Sequence, residues 1–426
     1  MISSNHSTKS SDQVMNSDST QICTITFPNQ NTFQMPIPHV PLTSDSYCQS
    51  FNVDTCSDEE IQQFFSKYGF IVFDNVLNQD QVQATVSDIF DILETNTNNQ
   101  FQRHDTTKWN SWPENALEHF GNVSIPSIFS RQFLMNRQNE KVVKAFSRVF
   151  QLPETELIVS HDRASFYRPP KLNSKYKTKA NLHLDCNPAE ALDEPEKATV
   201  SYSELNRLHY SSGKGHFITE NNHICTKRDG LQVQALINLN DNLSEDGGLI
   251  VVPGFHQYFS QFFELSGLVN DLGRGRPSFA FKPRDRITGE IYQLAQRIPS
   301  KAGSLIIWNQ LLAHGSAPTD MQKSKASFRS AMYLRMFPKS MLLREGAHHR
   351  RKNRREALRK KIHLLYLNER RPLELSPLGR AVFDIDDEGA SVNSENLFDP
   401  TPPYAASLKP LSSEKKSNGG ASSEDK

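Results

Sequence analysis

The chain has 426 residues, 48 of them Lys or Arg and 48 Asp or Glu, so its formal net charge is zero. No net field draws it to nucleic acid or to a membrane surface, and no apolar run reaches the roughly 18 residues that a spanning helix requires. Its five cysteines are irregularly spaced with no Cys-x-x-Cys pair, which argues against a disulfide framework or zinc knuckle and for a reducing, cytoplasmic setting.

Residues 1–50 are rich in Ser, Asn, Gln, Thr and Pro and lack periodicity. Such a segment buries too little apolar surface to offset chain entropy and reads as a disordered tail. It has no apolar stretch of the kind a secretory signal carries. Order begins at Ser57, which with Glu60 forms a capping box ahead of Ile61, Phe64 and Phe65 at helical spacing. Gly69 to Leu77 (GFIVFDNVL) reads as a buried strand. Asn78 caps a second helix with Val82, Val86, Ile89 and Ile92 on one stripe. From about Leu157 the pattern changes to short strands: IVSHDRASFYR, LINLND, GLIVVPG, GSLIIWN and SFRSAMYLRMF. Turn signals such as SEDGG and PGFH separate them. Helices followed by many short strands predict an α+β, mainly β fold over residues 51–340, a β-sandwich or barrel with flanking helices.

Residues 341–386 form a basic extension. Between Arg344 and Arg371 eleven Lys or Arg stand against three Glu, and Leu358, Ile362 and Leu365 give a narrow apolar stripe. The plain reading is a helix packed on the core; the alternative is a nuclear-localisation or nucleic-acid patch over 350–361. Residues 387–426 return to a polar composition and read as a second tail.

One His-x-Asp/Glu occurs in the chain, His183-Leu184-Asp185. Chance alone would supply one or two such pairs, so the pair means little by itself. Strand alternation, however, puts His183 and Asp185 on one face as adjacent metal donors. GSLIIWNQLLAH reads as an apolar strand that ends in His314, which supplies a third. Further on, Arg329 stands inside SFRSAMYLRMF, where a buried guanidinium needs an anion. Two histidines and a carboxylate leave three positions open on iron, the facial triad of non-haem oxygenases. A catalytic zinc would accept the same donors but would not explain the arginine.

At these residues the sequence resembles the phytanoyl-CoA dioxygenase-like family of Fe(II)/2-oxoglutarate-dependent oxygenases, from about residue 55 to 340. FFSKYGFIVFDNVLNQDQV is similar to that family's opening helix and strand, and HLD to its His-x-Asp. GGLIVVPGFH is similar to its Asn-Gly…Pro-Gly-Ser-His turn, and HGSAPT with SFRSAMYL to its His-Gly-Ser…Phe-Arg segment. The resemblance implies a double-stranded β-helix (jelly-roll, cupin-like) core with flanking N-terminal helices and a C-terminal basic helix. It implies Fe(II) on His183, Asp185 and His314, with Arg329 on the far carboxylate of 2-oxoglutarate. The implied reaction consumes O2, hydroxylates a substrate and releases succinate and CO2, with ascorbate in support. Asp185 stands where related halogenases have Gly or Ala. Phe255 and Ser304 depart from the family pattern, and the loop from His314 to Arg329 is longer than its counterpart.

Residues 186–230 and 258–299 look like insertions, the second a lid by position, and substrate contacts usually lie on such loops. The expected partner is a small-molecule substrate; neither a membrane nor nucleic acid is expected, and nothing marks the oligomeric state. Two other readings stay open: a metal- and 2-oxoglutarate-binding regulator without turnover, and an oxygenase acting on a macromolecule docked by 344–371. Further candidates for the oxo acid or substrate are Arg163 and Tyr167, which alternate with Ser165, the amides Gln232 and Gln234, and Ser316, which reads equally as a turn residue. Trp308 and Gln310 share a face with His314 as pocket wall or core. His161 and His256 read as turn or core residues, and alternation turns Cys186 away from the metal.

Overall fold

The computed structural model describes residues 21–114, 116–124, 128–192, 231–272, 278–322, 327–339 and 347–385. The expected tail at 387–426 and most of the insertion at 186–230 lie outside them. Residues 21–50, expected to be a tail, are built into the core. β1 (Gln21–Thr26) and β2 (Thr32–Ile37) pair as an antiparallel hairpin. Phe33 and Met35 are fully buried, and the Phe33 ring meets Phe262 edge-on, centroids 5.3 Å apart. Apolar residues at 33, 35 and 37 make one face of a strand, and a distant helix supplies its cover.

α1 (Asp58–Tyr68) begins at the reciprocal Ser57/Glu60 cap. It ends at Gly69, whose φ of +78° is left-handed and where a Cβ would stand 2.4 Å from His256 Nδ1, so glycine is required there for conformation and for space. β3 (Phe70–Phe73) is wholly buried. Asn78 caps α2 (Gln79–Asn96), and Val82, Thr85, Ile89 and Leu93 face inward. α3 (Arg131–Arg137) and α4 (Glu140–Phe150) follow.

The remainder is mostly strand. In chain order come β4 (Leu157–Val159), β5 (Ala164–Tyr167), β6 (Asn181–Leu184), α5 (Pro188–Leu192), β7 (Val233–Asn238) and β8 (Gly248–Val251). Then come α6 (Phe255–Ser266), β9 (Phe279–Phe281), α7 (Thr288–Gln293), β10 (Gln296–Arg297), β11 (Leu305–Asn309), β12 (His314–Ala317), β13 (Arg329–Leu334) and β14 (Met336–Pro338). They form two five-stranded antiparallel sheets, ordered β10-β8-β12-β6-β9 and β3-β11-β7-β13-β5, and a separate β4–β14 pair. From β6 to β8 and again from β10 to β13 the chain passes back and forth between the two sheets, while β8, β9 and β10 stay in one; inward side chains of both sheets meet between them.

Two readings change. GSLIIWNQLLAH is not one strand. Its chain turns at Asn309, whose carbonyl accepts from Leu312 N at 2.9 Å and whose Oδ1 accepts from Leu311 N at 2.9 Å. β11 and β12 therefore lie in different sheets, and His314 opens a strand rather than closing one. The stretch 258–299 is not a lid: β9 and β10 are the two edge strands of the sheet that carries His183 and His314.

α8 (Ala347–Glu369) and α9 (Pro377–Phe383) complete the described chain. Leu358 and Ile362 are buried, and so is Arg354, which donates to the carbonyls of Val159 (3.0 Å) and Phe383. Arg355 donates to Asp384 O at 2.8 Å and Arg359 to Ile385 O at 2.5 Å. The last carbonyls of a helix lack partners and carry its negative end, so these arginines cap α9. No described helix is long and apolar enough to cross a membrane. Phe33→Ala should cost about 3–5 kcal/mol, as for large-to-small core changes, read as a lowered urea midpoint; a tail residue would move nothing.

Candidate metal centre

His183 on β6 and His314 on β12 are register partners, so their rings stand on the same face, centroids 4.6 Å apart. Asp185 follows β6 by one residue. Its Oδ1 lies 3.4 Å from His183 Nε2 and its Oδ2 3.5 Å from His314 Nε2. One donor atom from each residue lies within 4.8 Å of the others. His314 Nδ1 is 2.9 Å from Leu312 O; with its proton spent there, Nε2 keeps the lone pair a metal needs.

The carboxylate is held from the opposite sheet. Gln234 Nε2 donates to Asp185 Oδ2 at 2.5 Å, and Trp308 Nε1 donates to Gln234 Oε1 at 3.1 Å. Gln310 Nε2 donates to the Asp185 carbonyl at 3.0 Å. Burial pushes the Asp185 carboxyl up, but the two histidines outweigh it and hold it well below the usual carboxylate range. Burial, then His183, lowers the His314 pKa. At neutral pH the site thus offers an ionised carboxylate and a neutral imidazole, the forms that bind metals.

Cationic and hydroxyl side chains line the same interior. Arg329 opens β13 opposite Tyr167 of β5. Its guanidinium lies 3.8 Å from the Tyr167 ring centroid, and its Nε is buried with no partner among the described residues. The Tyr167 and Tyr333 hydroxyls are 3.4 Å apart. Ser316 takes the Asn181 Oδ1 with its backbone N–H at 2.7 Å, while its own buried hydroxyl has no partner among the described residues. Arg297 of β10 donates through Nη2 to Pro318 O at 3.2 Å, just past β12, and its Nη1 is buried without a partner among the described residues. Burial, then the Arg329 guanidinium, lowers the Arg297 pKa. Arg335, after β13, brings Nη2 to 4.0 Å from Asp185 Oδ2.

The remaining residues singled out have the following neighbours. Arg163 Nε lies 3.6 Å from the preceding Asp162 rather than in the cluster. Gln232 stands ahead of β7 and gives its carbonyl to Gln310 N at 2.9 Å. His161 stacks on Phe129 and Phe383 and Cys186 is buried. Burial depresses His256 to about 4. Sequence reasoning missed Tyr333, Arg335 and Arg297. Alternation from Arg329 points to the first two; nothing in the sequence marks a two-residue edge strand.

No family model matches the chain. A curated Dictyostelium discoideum protein named as a phytanoyl-CoA dioxygenase is 38% identical over 292 residues, 68% of this chain and 78% of that protein. The chain belongs to the phytanoyl-CoA dioxygenase family. It is accordingly a 2-oxoglutarate-dependent dioxygenase. Solved structures share its fold: the GlcNAc Inducible Gene 2 protein of Candida albicans at 14% identity and TM-score 0.51, over 81% of this chain and 82% of that one; and an oxidoreductase of Salmonella typhimurium LT2 at 16% identity and TM-score 0.50, over 78% and 83%. The two imidazoles and one carboxylate fit the iron such dioxygenases use.

His183→Ala, Asp185→Ala and His314→Ala should each weaken Mn(II) binding by about two orders of magnitude or more in calorimetry, since each removes one of three protein donors; Arg329→Met should leave it unchanged. Folded His256 takes up its proton only near pH 4, whereas an unfolded-chain histidine does so near 6.5. Below 6.5 the unfolded state binds more protons, so stability falls as pH drops from about 6.5 towards 4. His256→Gln should flatten that slope in thermal melts.

Proposed function

We propose that the protein uses Fe(II), 2-oxoglutarate and O2 to hydroxylate a small-molecule substrate, with His183, Asp185 and His314 as iron ligands and Arg329 as the clamp on the distal carboxylate of 2-oxoglutarate. The observation that carries this is the His–Asp–His cluster together with Arg329, stacked on Tyr167 and with its buried Nε lacking a partner among the described residues. The passage of consecutive strands between two sheets supports a double-stranded β-helix as the scaffold.

Iron, when bound with 2-oxoglutarate, would activate O2, one oxygen atom going into the substrate C–H bond and the other into the succinate left as 2-oxoglutarate loses CO2. The rest is the protein's work. Gln234 and Gln310 fix the Asp185 carboxylate and its backbone, so the donor set stays in place as ligands exchange. Arg329 holds the dicarboxylate from its stacked position on Tyr167. The Ser316 hydroxyl and Arg297 Nη1, both buried with no partner among the described residues, add donors to the same interior. Trp308 and the aliphatic strand faces keep that volume dry, which strengthens each charged contact.

Docking of a macromolecule on the basic helix has less support, because Arg354, Arg355 and Arg359 are spent on carbonyls.

Purified protein with Fe(II) should convert 2-oxoglutarate to succinate, and Asp185→Ala should abolish this. Arg329→Met should raise the KM for 2-oxoglutarate by about two orders of magnitude, the loss of a charge-assisted pair. Succinate formation by Asp185→Ala at the normal rate would defeat the proposal.

A further inference from the structure

Most buried arginines here are saturated by carbonyls. Arg137 donates to Ile128 O at 2.7 Å and Asp162 O at 3.1 Å. Arg168 donates to Trp109 O at 2.6 Å and to Glu118, between the rings of Trp112 and Tyr176. Arg354 bridges Val159 O and Phe383 O. In each, both terminal nitrogens are taken by the protein itself.

Arg335 differs. It is 4% exposed. Its Nη1 is buried with no partner among the described residues. The nearest anion to Nη2 is Asp185 Oδ2 at 4.0 Å, beyond hydrogen-bond reach. That oxygen is already committed to Gln234 at 2.5 Å and lies 3.5 Å from His314, so Asp185 offsets the arginine's charge without filling its donors. A guanidinium left this way in a dry interior is strongly disfavoured unless an anion completes it. Nη2 is the guanidinium nitrogen that stands beside a metal ligand, so an anion that completes the fork on that side lies at the metal. Alternation puts residues 329, 331 and 333 on one side of β13, and Arg335, the residue just past the strand, continues that spacing with Ala331 and Tyr333 between the two arginines.

We propose that Arg335 is a carboxylate receptor at the metal centre, the side of its guanidinium that faces Asp185 binding a carboxylate held beside the metal. This rests on the reading of the site as an Fe(II)/2-oxoglutarate centre. The carboxylate has two sources: the C1 carboxylate of the co-substrate, or an acidic group on the primary substrate.

The test uses full-length Mn(II)-loaded wild type, Arg335→Met and Arg335→Lys. Calorimetry measures Mn(II) and 2-oxoglutarate binding, and paramagnetic relaxation of [13C]acetate by the bound Mn(II) measures carboxylate binding near the metal. Arg335→Met should keep its Mn(II) affinity. A rise of about tenfold or more in the Kd of 2-oxoglutarate assigns the carboxylate to the co-substrate. Unchanged 2-oxoglutarate binding with loss of the acetate effect assigns it to an acidic primary substrate. Arg335→Lys, which keeps the charge but not the fork, should fall between, and it carries the comparison if Arg335→Met does not fold. The proposal is overturned if both probes bind the variant as they bind wild type, or if Mn(II) affinity falls as far as theirs, which would mean that Arg335 only steadies Asp185. Wild-type protein that binds Mn(II) but not 2-oxoglutarate would remove the broader reading, while the acetate comparison on the Mn(II) form would still decide the role of Arg335.

Discussion

His183 stands directly opposite His314 across the β6–β12 ladder, and this register constrains much of the interior. A slip of either strand by one residue would send its imidazole to the outer face of the sheet and bring Leu184 of β6 or Gly315 of β12 inward. With the register kept, two imidazoles and a carboxylate lie between two apolar sheets, and the surroundings must then satisfy polar groups in a dry place. Gln234, Gln310 and Trp308 do so for Asp185. Leu312 does so for His314. Gly315 belongs to the same constraint: a Cβ there would meet Asn181 O at 1.9 Å, so β6 and β12 approach this closely only because that side chain is absent.

The entry helices were legible because their signals are local. Ser57 with Glu60 and Asn78 with Gln81 are complete capping boxes written in adjacent residues, and the apolar stripes behind them have helical period. The donor triad was legible for a different reason: His-x-Asp on a strand is a two-residue geometry, and the family resemblance supplied the frame for His314.

What escaped the sequence depends on distant partners. The β1–β2 hairpin looks like polar tail because its cover, the Phe262 face of α6, lies more than two hundred residues away. The turn at Asn309 hides in an apolar run, since Leu311 and Leu312 continue the hydrophobic pattern while the backbone reverses. Arg297 acquires its place only when a two-residue edge strand joins β8. The carbonyls that Arg354, Arg355 and Arg359 bind belong to Val159 and to residues 383–385, which nothing in the basic run itself marks.

The chain of contacts from Trp308 through Gln234 to Asp185 has an optical consequence. The indole also lies 5.2 Å from the His314 ring, so its excited state samples the same electric field as two metal donors. A divalent ion drawing electron density from the Asp185 carboxylate weakens what that carboxylate accepts from Gln234, and the change passes to the indole N–H. The protein therefore carries its own fluorophore wired to the occupancy of its centre, and filling and emptying can be followed by emission without an added label.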